Sequence, residues 1–216
     1  MLRRFAIAFL TSFLAVALHG GDAKPFRLLF VGNSLTYTND LPAMVRRIGE
    51  LDGRQIETTM IARPNFSLED HLLSAQTRHV LKAGDFDVVV LQQGPSSLDE
   101  SRRLLIRDVT RIRQMVPARC KVAVLTVWPD VRRLAVFDRV IESHRLAAEA
   151  ADATLIPAGS AWKGMSDAGD GRSLYSRDEF HPAPGGTFVA ALETYRALIG
   201  PPPVDAARAL LLSAAK

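Results

Sequence analysis

Phe86-Asp87-Val88-Val89-Val90-Leu91 and Val122-Ala123-Val124-Leu125-Thr126-Val127 are almost unbroken apolar runs, rich in valine. A strand with one wet face alternates apolar and polar residues. A run without that alternation has both faces covered, as in the interior of a parallel sheet. Three further runs of strand character lie outside this pair, at residues 26–31, 56–61 and 154–156. Between them fall amphipathic stretches of helical period. Residues 41–51 end at Asp52-Gly53, a helix stop, and residues 67–82 open on the capping-box pattern Ser67-Leu68-Glu69-Asp70. Residues 98–115 and 137–151 carry charge on one side and aliphatic residues on the other. Residues 186–199 form the last long helix before Pro201-Pro202-Pro203, and a terminal helix is expected from about Val204. Strand and helix alternating five times predict an α/β fold: a three-layer α/β/α sandwich on a flavodoxin-like five-stranded parallel sheet of order 2-1-3-4-5. In that order the crevice for a ligand lies beyond the C-terminal ends of strands one and three, just after Val31 and just after Leu91.

A chain of 216 residues, 48% apolar, suits one domain with a real core. Its first residues read as an export leader. Met1-Leu2-Arg3-Arg4 is a short positive start, the stretch to Leu18 is apolar apart from Thr11 and Ser12, and His19-Gly20-Gly21-Asp22 restores polarity. Two small-residue stops are available, Ala15-Val16-Ala17 and Gly21-Asp22-Ala23. The second leaves the fuller apolar segment in front of the cut, so the expected leader is residues 1–23 and the expected mature domain 24–216. About fourteen apolar residues are short for a bilayer span, which needs about twenty. No stable membrane span is expected after cleavage, and the location is periplasmic or secreted. The single cysteine, Cys120, at the head of an apolar run, reads as a small core residue. Loss of Arg3, Arg4 and Asp22 with the leader lowers the formal charge from +4 to +3. With the arginines dispersed, this does not make a nucleic-acid surface. No HExxH, GxGxxG or GxxxxGK[ST] occurs, and the expectation is no metal and no cofactor. The oligomeric state is not readable from the sequence.

Both switch-point positions carry chemistry. Gly32-Asn33-Ser34-Leu35-Thr36 follows the first strand directly, where a glycine turn leads into a helical segment and backbone N–H groups point outward to receive an anion. Ser34 is the candidate nucleophile; the alternatives are a helix cap or a phosphate loop. A serine needs a base oriented by a third group. His71, His79 and His144 read as surface or half-buried helix residues. His181 lies in the loop Tyr175 to Gly186, stiffened by Pro182 and Pro184, with Asp178 three residues back, one tight turn from the ring.

Gly32-Asn33-Ser34-Leu35-Thr36 resembles the first block of the SGNH (GDSL-like) hydrolases, G-D/N-S-L/F-T. Asp178-Glu179-Phe180-His181-Pro182 resembles their last block, D-x-x-H-P. The resemblance implies a serine esterase with Ser34, His181 and Asp178 as its triad and no cofactor. It also implies an oxyanion hole built from the Ser34 N–H and two further donors. The second block, where the family has a glycine, is represented here by Arg63-Pro64-Asn65-Phe66-Ser67-Leu68, with Asn65 at the glycine position. Its N–H remains, and asparagine tolerates positive φ. The third block, G-x-N-D, is replaced by Leu91-Gln92-Gln93-Gly94-Pro95-Ser96-Ser97. Ser96 stands at the asparagine position, and Gln92 or Gln93 is the candidate amide donor, with a lean toward Gln92. The implied substrate is a small-molecule or carbohydrate ester, acetylated sugar among them. Trp128-Pro129-Asp130 is either cleft lining or plain loop. Two rival readings use the same residues: an acyltransferase on the same triad, and a non-catalytic ligand-binding domain that lost its middle-block donors.

Overall fold

A computed structural model describes residues 24–203. The expected leader and the expected helix from Val204 lie outside the described residues. Five strands form one all-parallel sheet of order β2-β1-β3-β4-β5: β1 (Phe26–Gly32), β2 (Ile56–Ala62), β3 (Val88–Leu91), β4 (Lys121–Leu125) and β5 (Thr154–Ile156). The α/β/α sandwich and the strand order are those the sequence predicts. Val88, Val89, Val90 and Leu91 are each 3% exposed or less, which is why this run shows no alternation.

Among the described residues eight α-helices accompany the sheet: α1 (Ser34–Tyr37), α2 (Leu41–Leu51), α3 (Leu68–Leu73), α4 (Ala75–Ala83), α5 (Asp99–Met115), α6 (Phe137–Ala150), α7 (Ala158–Asp167) and α8 (Pro184–Leu198). Alternate residues of each strand feed two separate cores. Leu28, Phe30, Val88, Val90 and Leu125 pack with Leu41, Val45 and Ile48 of α2, Trp162 of α7, and Phe188 and Tyr195 of α8. Leu29, Val31, Val89, Leu91, Val122 and Val124 pack with Leu68 and Leu72 of α3, Leu81 of α4, Leu105, Val109 and Ile112 of α5, and Ala147 and Ala148 of α6. At about 1.5–3 kcal/mol for each fully buried aliphatic side chain, these two layers supply the driving force that orders the loops at the sheet's C-terminal edge.

The structure departs from the sequence expectation in two elements. The single helix expected over residues 67–82 is two, broken at Ser74 (φ −72°, ψ 119°). The Ser74 hydroxyl accepts from Thr77 N–H, and the Arg78 guanidinium donates to the Leu72 and Leu73 carbonyls at the end of α3. A cap and a cation at the last carbonyls thus replace the continued helix. Helix α7, carrying Trp162, was not expected at all. Its glycines and serines give it little helical propensity, and tertiary packing of Trp162 outweighs that deficit. Among the described residues no helix is long and apolar enough to cross a membrane.

Candidate active site

Strand β1 runs in the interior of the sheet between β2 and β3, and the chain leaves it at the switch point. Asn33 (φ −132°, ψ −152°) caps α1: its Oδ1 accepts from Leu35 N–H at 3.1 Å, while its Nδ2 donates to the Phe66 carbonyl at 3.0 Å. Ser34 is therefore the first residue of a helical turn whose loop is tied to the segment after β2. Its side of the turn opens on a cavity of about 400 Å³. Asn33, Ser34, Asn65, Phe66, Gln93, Ser96 and Phe180 are among the lining residues.

Asn65 adopts positive φ, 60°, in the tight turn between β2 and α3, and Ser67 and Asp70 close the capping box that the sequence announces. Among the described residues the backbone N–H groups of Ser34 and Asn65 make no hydrogen bond. Both residues line the cavity, and unengaged N–H groups are the kind of donor an oxyanion needs.

The structure separates the two glutamines. Gln93 lines the cavity, with Oε1 accepting from Leu68 N–H at 2.9 Å and Nε2 donating to Ser96 Oγ at 3.3 Å. Gln92 is 1% exposed and is not part of the lining. Its Oε1 accepts from Asn33 N–H and from Thr36 Oγ1, each at 2.8 Å. Successive residues leaving a strand point to opposite faces, so only one of the pair can face the cavity. The sequence leans toward Gln92, but of the two candidates it is Gln93 that lines the cavity.

The histidine loop is a closed turn. Ser176 N–H donates to the His181 carbonyl at 2.8 Å, Ala183 N–H to the Leu174 carbonyl at 2.8 Å, and Glu179 takes positive φ, 64°. Inside it, Asp178 Oδ1 accepts from the Ser176 hydroxyl (2.6 Å) and from the N–H groups of Phe180 (3.0 Å) and His181 (2.9 Å). Asp178 Oδ2 lies 2.6 Å from His181 Nδ1. The Ser176 hydroxyl foremost, then the His181 ring and these N–H donors, hold the Asp178 carboxyl far below the usual carboxylate range. A carboxylate only accepts, so Nδ1 carries a proton, and in a neutral ring the lone pair is then on Nε2. Among the described residues Nε2 has no hydrogen-bond partner, and none joins it to Ser34 Oγ. The histidine loop reaches the same sheet edge: Phe180 lines the cavity with Ser34, and Asn39, just past α1, donates from Nδ2 to the Pro182 carbonyl at 2.9 Å, while His181 and Asp178 are not among the lining residues.

Trp128 does not line the cavity. It is 1% exposed, stacked on Trp162 with ring centroids 3.5 Å apart, and its Nε1–H donates to the Phe180 carbonyl at 3.1 Å. The Tyr175 hydroxyl donates to the Pro129 carbonyl, and Val131 N–H to the Glu179 carbonyl. The Trp128-Pro129-Asp130 segment is thus the brace under the histidine loop. His71, expected at a surface or half-buried position, is 1% exposed and bonded to the Gly32 carbonyl. The spacing Leu68, His71, Leu72 already placed it on the inward stripe of α3.

No family model matches this chain, and no curated protein matches it. Solved structures do. A Slackia heliotrinireducens protein classed with the SGNH hydrolases superposes with a TM-score of 0.70 at 25% identity, covering 81% of this chain and 99% of that one. An acetyl xylan esterase from Geobacillus stearothermophilus gives 0.64 at 15% identity, over 82% of this chain and 95% of its own. A GDSL-like lipase by classification, from Parabacteroides merdae, gives 0.61 at 15%, over 81% and 95%. The latter two likenesses speak to the fold alone. With its 2-1-3-4-5 sheet, and with the serine and histidine segments at the edge where that fold carries its chemistry, the chain is by fold a member of the SGNH (GDSL-like) hydrolase superfamily.

Proposed function

We propose that the protein is an exported serine esterase that hydrolyses carboxylic esters through an acyl-enzyme on Ser34. The observation that carries this reading is the Asp178–His181 pair, 2.6 Å apart, in a loop whose Phe180 lines the same cavity as Ser34. In the reaction His181 Nε2 takes the Ser34 proton as Oγ attacks the acyl carbonyl. The carbonyl oxygen, now negative, is held by the N–H groups of Ser34 and Asn65 and by the Gln93 amide. His181 gives its proton to the departing alcohol. Water then repeats the sequence, releasing the acid and restoring Ser34. Each oxyanion donor is worth about 3–4 kcal/mol of transition-state stabilisation. Gln93 Nε2 carries two N–H groups, so one can remain on Ser96 while the other serves the oxyanion. The likeness in fold to an acetyl xylan esterase, together with the leader read from residues 1–23, supports an acetylated carbohydrate as substrate.

The test is hydrolysis of a p-nitrophenyl ester series with a fluorophosphonate probe. The expected outcome is labelling of the wild type, preference for short acyl chains, and loss of both labelling and turnover in Ser34→Ala. A folded wild type that is neither labelled nor active would leave the ligand-binding reading standing instead. Acyl transfer to an added sugar in preference to water would favour the transferase.

A further inference from the structure

One peptide group, that joining Gly32 to Asn33, is gripped from both of its ends. Its carbonyl accepts from His71 Nε2 at 2.8 Å, with a weaker bond from Arg63 N–H at 3.3 Å. Its N–H donates to Gln92 Oε1 at 2.8 Å, an oxygen that also accepts from Thr36 Oγ1. Both side chains are 1% exposed, one reaching in from α3 and the other from the end of β3. The chemistry of the peptide fixes their orientations. A carbonyl only accepts, so His71 presents Nε2–H; an amide N–H only donates, so Gln92 presents its oxygen. The second end of each side chain is poorly served. His71 Nδ1 has only Thr77 Oγ1 at 3.5 Å, and Gln92 Nε2 has no partner among the described residues. Burying a polar group half-satisfied costs stability, so neither residue is explained by packing. A Cβ on Gly32 would stand 2.4 Å from Thr36 Oγ1 and 2.5 Å from Gln92 Oε1, and only glycine admits the clamp this close.

We propose that His71 and Gln92 are positioning residues for the nucleophile: by clamping the Gly32–Asn33 peptide they fix the plane from which Ser34 and its N–H project. This rests on Ser34 being the nucleophile. Rotation of that peptide would move Ser34 Oγ and swing the Ser34 N–H off the oxyanion together. Displacement on the ångström scale at a reacting group costs on the order of 100-fold in rate. Because the clamp acts on geometry and not on substrate contact, its loss falls on kcat and leaves KM nearly unchanged. The burial that lowers the His71 pKa keeps the ring neutral near pH 7, so the Nε2–H tautomer is the working form.

The test uses His71→Ala, His71→Gln and Gln92→Met. Glutamine places an amide N–H near the position of Nε2, so it supplies the donor without the ring. Nitrogen-15 NMR of the wild type is expected to show the His71 Nε2–H tautomer. His71→Ala and Gln92→Met, folded by circular dichroism, are expected to lose roughly 10- to 100-fold in kcat with KM within about two-fold. Amide exchange at Asn33 should be faster in both, and His71→Gln should recover most of the rate and the slow exchange. The double variant is expected to be little worse than the worse single one, since both grip one peptide. An Nδ1–H tautomer, wild-type kcat in folded His71→Ala, or a loss that glutamine does not restore overturns the clamp. If wild type proves inactive on every ester, the proposed hydrolase fails separately. The clamp is then decided by exchange at Asn33 alone, faster exchange in His71→Ala supporting it and unchanged exchange overturning it.

Discussion

Asp178 shows how much one side chain can fix. Its two oxygens take four donors, three from the turn it closes and one from the His181 ring. Asn at this position keeps an oxygen for Ser176 and the two N–H groups but turns an NH₂ toward Nδ1. The ring must then hold its proton on Nε2, where it cannot act as a base. Asp178→Asn is therefore expected to lower kcat by about 100- to 10,000-fold while the thermal midpoint barely moves. Steady-state kinetics beside a melting curve check this, and an unchanged rate would remove Asp178 from the mechanism. The sequence made this pair legible because its partners sit three positions apart inside one proline-bounded turn. His71 reads in the sequence as a surface or half-buried helix residue, and Gln92 as a candidate oxyanion donor. Their common partner is a backbone peptide, and a backbone peptide leaves no mark in the residue types.

At the scale of elements, the sequence predicts β3 and β4 because burial on both faces writes itself as nearly unbroken valine. Helix α7 escapes it because the seat of Trp162 depends on neighbours distant in the chain, whereas the break at Ser74 rests on the nearby Thr77 and Arg78, inside a stretch whose pattern otherwise reads as one helix. The link from β1 to α1 is tightly packed at Gly32. Gly32→Ala forces a Cβ into Thr36 and the Gln92 amide. It is expected to cost about 1–3 kcal/mol, as overpacking does, and to slow fluorophosphonate labelling of the remaining folded protein. Urea unfolding with labelling at matched folded fraction separates the two effects. Equal stability and equal labelling would contradict the packing described.

Over the whole molecule, two buried imidazoles weaken the fold as pH falls below neutrality. His144, fully buried with Nδ1 on the Val140 carbonyl, and His71 both have pKa values lowered, burial being the leading cause. In the unfolded chain they titrate near 6.5. Above that pH both states are neutral and nothing is lost. As pH falls below it the unfolded state takes up protons that the folded state resists, down to the folded pKa values. Each such histidine removes up to about 1.4 kcal/mol per pH unit. The urea midpoint is expected to fall between pH 7 and pH 5, with a shallower slope in His144→Gln; a flat profile would contradict the neutral burial. On the same scale lies the claim on which the function turns, that a serine near the front of the chain serves a histidine near its back. The most direct measurement is a crystal structure of the phosphonylated protein. The account predicts phosphorus on Ser34 Oγ and His181 Nε2 within about 2.6–3.2 Å of an adduct oxygen or of Oγ itself. Phosphorus on another residue, or a His181 ring turned away from a labelled Ser34, would contradict it.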